Sequence, residues 1–129
     1  MKTLKLYINE ALHVNKDTKE DYYNYHPNTN DELEKIVKKL IKERGKNADL
    51  NDVDTSAITD MSYVFYNSKF NGDISDWDVS NVTNMRSMFT YSKFNVDISK
   101  WDVSNVKDMD YMFDHSPLEK NPPKWYKKQ

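Results

Sequence analysis

Phe70-Asn71-Gly72-Asp73-Ile74-Ser75-Asp76-Trp77-Asp78-Val79-Ser80-Asn81-Val82 opens a unit that continues through Met85, Met88 and Phe89 to Lys93. The next 24 residues, Phe94 to Pro117, repeat it with 15 identities, and the preceding 24, Lys46 to Lys69, repeat it with 10. A fixed period of this length is the mark of stacked units, each burying its apolar side chains against its neighbours. Stacked units make extended surfaces, and such surfaces commonly bind.

The unit divides in two. Ile74, Trp77 and Val79 favour strands, and Trp77 and Val79 share a face at a spacing of two. Val82, Met85, Met88 and Phe89 follow the spacing of a helical turn or a 3₁₀ segment. The expected unit is therefore strand, turn, short helix and return. Stacking it aligns six apolar columns: Phe65/Phe89/Phe113, Met61/Met85/Met109, Val64/Met88/Met112, Ile58/Val82/Val106, Leu50/Ile74/Ile98 and Val53/Trp77/Trp101. Trp125 lies one period beyond Trp101. Residues 118–129 thus read as a broken fourth unit, in which Pro122 and Pro123 would end a strand ladder.

Upstream, Leu33, Ile36, Val37, Leu40 and Ile41 form one apolar stripe at helical spacing over residues 31–44. Thr29 and Glu32 have capping-box spacing, and Gly45 is a natural stop. This helix is expected to cover the open end of the stack, with docking onto a separate partner as the rival reading. In residues 1–26, Leu4, Leu6 and Ile8 suggest a short strand or a turn. Tyr22, Tyr23, Tyr25 and His26 suggest a lid packed on the first unit. The organisation expected is a cap at 1–45, three units at 46–117 and the broken fourth unit.

Composition narrows the function. The chain has 129 residues, no cysteine, two glycines and 31% charged residues, with a mean hydropathy of -0.96. Disulfides, thiolate chemistry and glycine-rich phosphate loops are absent on these counts. No apolar run approaches the ~20 residues that span a bilayer. The start is not a secretory signal, so a cytoplasmic location is expected, or the cell surface if a leader has been removed. Residues 46–117 carry 6 basic and 12 acidic side chains. That acidic middle opposes nucleic-acid binding and suits a basic protein partner.

The segment Trp-Asp-Val-Ser-Asn-Val-x-x-Met-x-x-Met-Phe at 77–89 and 101–113, with Asn-Gly-Asp-Ile-Ser at 71–75, resembles the repeat of BspA-type leucine-rich-repeat surface proteins of bacteria. The resemblance spans about residues 46–125. It implies an α/β repeat, a short leucine-rich-repeat-like solenoid with a parallel strand ladder, here with an N-terminal capping helix. It also implies adhesion or protein binding without catalysis. Surface members of that family carry a signal or anchor and many more repeats, which leaves an intracellular or phage-borne inhibitor of one target as an alternative.

Two aspartate columns, Asp49/Asp73/Asp97 and Asp54/Asp78/Asp102, bring like charges together. Calcium takes such oxygens, but aspartate beside a turn usually accepts its own backbone N–H, and that is the expectation here. No metal or cofactor is expected. Paired carboxylates can hydrolyse glycans, yet one active site has no use for a residue recurring with every unit. His13, His26 and His115 sit in no nucleophile or ligand pattern. The favoured function is a non-catalytic protein-binding module whose surface carries Tyr63, Tyr66, Tyr91 and Tyr111 with Asp78 and Asp102. A self-associating structural protein is the alternative, and a glycan hydrolase ranks last. Oligomeric state is left open.

Overall fold

Thr29 turns the chain from extended backbone into an α-helix. Its hydroxyl accepts the Glu32 N–H at 3.1 Å, and the Glu32 carboxylate accepts the Asn28 N–H at 2.7 Å. With the first donors satisfied, helix α1 runs Asn30–Arg44. Asp31 and Glu32 in its first turn and Lys42 and Arg44 in its last complement the dipole. It ends where Gly45 takes φ of 97° and returns its N–H to the Ile41 carbonyl at 2.8 Å. Leu33, Val37 and Leu40 are buried and Ile36 and Ile41 half-buried, so the apolar stripe read from spacing is the face that packs. The structure, a computed structural model, describes residues 22–127. The expected N-terminal strand or turn near Leu4, Leu6 and Ile8, and His13, lie outside them.

The α/β leucine-rich-repeat-like solenoid with a parallel strand ladder does not form. The described residues contain α1, a 3₁₀ turn at Pro117–Glu119 and no strand. Strand-like pairing between successive units is confined to isolated parallel bridges, Asp49 with Asp73, Asp60 with Asn84 and Asn84 with Asp108. The reason lies in the side chains. Nine Asp or Asn residues each accept the N–H two residues on: Asp49, Asp54, Asp60, Asp73, Asp78, Asn84, Asp97, Asp102 and Asp108. Local bonds of this kind offer the backbone an alternative to a ladder. Trp77 then donates its N–H back to Ile74 at 3.1 Å, closing a reverse turn where a strand was expected. Trp101 repeats this on Ile98, and Val53 on Leu50.

The expected short helix is replaced too. Val64, Tyr66 and Ser68 donate three residues back, to Met61, Tyr63 and Phe65. Tyr63 and Asn67, however, sit at φ of 62° and 54°, which breaks the helical run. The intervening donors therefore point sideways to the next unit. Met61, Tyr63, Phe65 and Asn67 donate to Asn84, Arg86, Met88 and Thr90, at 2.8 to 3.1 Å. Met85, Ser87, Phe89 and Tyr91 donate in the same register to Asp108, Asp110, Met112 and Asp114. The architecture is a stack of turn-built units held in 24-residue register by every second backbone amide.

The columns fill its interior. Phe65, Phe89 and Phe113 stack face to face, with centroids 5.4 and 5.7 Å apart and planes within 5°. Phe70 and Phe94 lie against them. Each indole N–H reaches back to a carbonyl: Trp77 to Leu50 at 2.9 Å, Trp101 to Ile74 at 3.2 Å and Trp125 to Ile98 at 2.9 Å. Close approach sets one residue type, because a Cβ on Gly72 would stand 2.0 Å from the Ala48 carbonyl oxygen that accepts the Asp73 N–H. Helix α1 shares this core, and its Arg44 pairs both guanidinium nitrogens with the fully buried Asp52, at 2.8 and 3.0 Å. Ahead of it, Asn24 and Tyr25 bond the backbone of Asp52 and Asp54.

Candidate functional site

The register that aligns the core also aligns a row of left-handed residues. Tyr63, Ser87 and Tyr111 occupy one position of the unit, at φ of 62°, 53° and 62°. Asn67, Tyr91 and His115 occupy another, at 54°, 58° and 58°. Asn tolerates this region, but a tyrosine held there is an outlier. The turn geometry requires the conformation; five of the six side chains are exposed, and Ser87, the smallest, is buried. Tyr63, Tyr66, Tyr91 and Tyr111 are 47%, 46%, 50% and 53% exposed, while the phenylalanines beside them are buried.

These four rings are brought together. Tyr63 and Tyr66 lie 5.6 Å apart, Tyr66 meets Tyr91 edge-on at 6.1 Å, and Tyr91 stacks on His115 at 4.6 Å with planes 5° apart. Arg86 closes the other side. Its guanidinium lies 4.9 Å over the Tyr111 ring and 3.2 and 3.8 Å from the Asp110 and Asp108 carboxylates. Hydrogen bonding to Tyr63, ahead of the pull of Asp108 and Asp110, raises its pKa further above the usual arginine value. Ser87, the small member of its column, sits between Tyr63 and Tyr111, and Arg86 bridges them. The result is a continuous strip across three units: Tyr111, Arg86, Tyr63, Tyr66, Tyr91 and His115.

Asp78 and Asp102 do different work. Each spends Oδ1 on the N–H and hydroxyl of the serine two residues on, Ser80 at 3.0 and 2.6 Å and Ser104 at 3.1 and 2.7 Å. These are turn bonds in the first half of the unit, and the residues are exposed there. The Ser104 hydroxyl and N–H hold the Asp102 carboxyl below the usual range. At Asp73, partial burial pushes the carboxyl upward, and Ser75 with Asn51 outweighs it, leaving the pKa lowered. Asp73, Asp76 and Asp97 line an open groove of about 500 Å³ with Lys100. Among the described residues no group of three acidic or imidazole side chains converges as a cation would require.

Sequence reasoning selected the four tyrosines but missed Arg86. A signal existed, since Arg86 precedes Asp110 by one period and stands beside the tyrosine column. The cluster near the first unit lies apart from the strip: Tyr22 and Tyr23 are 5.1 Å apart, and burial, with Asp49 and Asp76 adding, pushes the Tyr22 hydroxyl up to about 12.

A family model described as "Mycoplasma protein of unknown function, DUF285" matches residues 32–129. The chain belongs to the DUF285 family. The match takes in α1 from Glu32 onward, all three units and Trp125, so the strip lies wholly within the DUF285 region. No curated protein and no solved structure matches the chain. Among the described residues of this DUF285 chain, no helix is long and apolar enough to cross a membrane.

Proposed function

We propose that this DUF285 chain is a non-catalytic protein-binding module, and that the tyrosine strip is where a macromolecular partner docks. One observation carries the reading: three of the four exposed tyrosines are held on left-handed backbone. Each such residue costs about 1–2 kcal/mol relative to glycine there. The rings recover little of that by burial, since about half of each faces solvent. Strain retained without burial is the pattern of residues kept for contact. Tyrosine and arginine are also the side chains that dominate interface energetics, through large rigid area and a polar tip.

The resemblance of the units to the BspA-type repeat supports the same assignment, because proteins of that type act by adhesion and binding. The charge balance supports a basic partner. Asp108, Asp110 and Asp114 flank the strip, and its one arginine is already paired. The test is a pull-down from host extract with the wild-type chain and with a Tyr66→Ser, Tyr91→Ser, Tyr111→Ser triple variant. A specific protein is expected on the first and absent from the second, with both chains equally folded by circular dichroism. Equal capture by both would remove the strip from the interface.

A further inference from the structure

The two ends of the stack are finished differently. At the first unit, the carbonyls of Asp60 and Ser62 occupy the places of Asn84 and Arg86, which accept amides from the preceding unit. Here the Asn30 side-chain amide at the start of α1 donates to both, at 3.0 Å each. At the third unit the roles reverse, and the edge presents donors. Met109, Tyr111, Phe113 and His115 occupy the places of Met85, Ser87, Phe89 and Tyr91, whose N–H groups all reach the next unit. The His115 N–H is met by the Glu119 carboxylate at 3.2 Å. No carbonyl of a described residue faces the N–H groups of Met109, Tyr111 and Phe113.

The side chains at this level are unfinished in the same place. Met61 and Met85 are fully buried, whereas Met109 is half-buried. Ile58 and Val82 are buried, whereas Val106 is half-buried. The first half of the level is covered, with Trp125 stacked 6.3 Å from Trp101 and Tyr126 set 4.9 Å from Phe113. Among the described residues, the second half of the level lacks such a cover. Unpaired backbone edges of this kind are templates for strand addition.

We infer that this edge docks a short segment of another polypeptide, which completes the second half of the fourth level. The occupant is defined by what fills the same donors one and two levels below. It supplies backbone carbonyls at three alternate residues, apolar side chains over Met109 and Val106, and a cation beside Asp110. That last feature follows from Arg86, which occupies the level below and meets Asp110 at 3.2 Å. A second copy of this chain does not fit. Two such edges would face donor to donor, and at the other end the Asp60 and Ser62 carbonyls, the first two acceptors of the matching row, are held by Asn30.

The probe is a synthetic peptide with the sequence of residues 83–91, which carries the asparagine, arginine and methionine whose carbonyls serve this role two levels down. Amide hydrogen exchange is followed by NMR on the ¹⁵N-labelled full chain. Without peptide, the amides of Met109, Tyr111 and Phe113 exchange at least tenfold faster than those of Met85, Ser87 and Phe89. Millimolar peptide slows the first set tenfold or more, and a peptide with its arginine replaced by glutamate does so less. Three results overturn the inference: no slowing by the peptide, peptide-induced shifts confined to the ring protons of Tyr66 and Tyr91, or protection that rises with protein concentration alone.

Discussion

Trp101→Ala and Trp101→Phe together test how the units are joined. The Trp101 indole is 5% exposed, stacks near Trp125 and donates its N–H to the Ile74 carbonyl one unit below. Truncation to alanine removes the transfer free energy of the ring and leaves a cavity, which for buried aromatic residues costs about 3–5 kcal/mol. The half-buried Trp125 on one side can settle toward the gap, so about 3–4 kcal/mol is expected. Phenylalanine keeps most of the apolar volume and loses the donor. The Ile74 carbonyl keeps the Trp77 N–H and loses only the indole, a net hydrogen bond worth about 0.5–1.5 kcal/mol, so about 1 kcal/mol is expected. Urea unfolding followed by far-ultraviolet dichroism measures both, with an unchanged m-value showing that the states compared are the same. A near-neutral alanine variant would refute the placement of this ring in the core. A phenylalanine variant as costly as alanine would show that the hydrogen bond, and not the packed volume, ties the units.

Arg44→Met leaves the fully buried Asp52 carboxylate without its bidentate partner, and about 3 kcal/mol of stability should be lost, with much of it recovered in the Arg44→Met, Asp52→Leu double variant by urea unfolding. Tyr111→Asn exchanges a strained tyrosine for a residue that tolerates φ of 62° and forfeits the Arg86 contact, so stability should change by less than about 1 kcal/mol while partner capture falls; a stability loss above that would assign the ring a structural role. The carboxyls of Asp73, Asp97 and Asp102 have folded pKa values below their ordinary ones. Their stabilisation is therefore present above about pH 4 and lost as pH falls through the folded values. Replacing all three with asparagine should flatten the acid limb of a thermal-melting profile between about pH 4 and 2, and an unchanged limb would exclude these turns as its cause.

What the sequence made legible was spacing. The 24-residue columns from Phe65 to Phe113 and the stripe of α1 could be read because burial repeats faithfully with period. The local backbone could not be read from the same residues. Ile74, Trp77 and Val79 are strand formers only where their amides are free to pair across a sheet. Here Asp73 and Asp78 bend the chain first, and the side chains reach the core from turns. Met85, Met88 and Phe89 have helical spacing, but Ser87 at φ of 53° interrupts the helix between them. Left-handed tyrosines leave no compositional mark, since that region is usually signalled by glycine or asparagine. The four tyrosines were selected from their columns, whereas Arg86 joined them only through contacts spanning three units.

The turn-built unit and the exposed strip have one cause. In a strand ladder every residue alternates between core and solvent, and a tyrosine column would be half of an ordinary face. In this stack the chain must take a left-handed residue at two places per unit so that alternate amides point to the next level. At those two places Tyr63, Tyr111, Tyr91 and His115 project outward in line, while the small Ser87 is buried between its neighbours. The row of amides that joins the units and the row of rings that faces solvent are therefore set by the same φ angles. At the third unit the two rows meet in one residue. The ring of Tyr111 belongs to the strip under Arg86, and its N–H belongs to the open edge. A segment completing that edge would order the end of the strip as well, so the two surfaces are coupled through Tyr111.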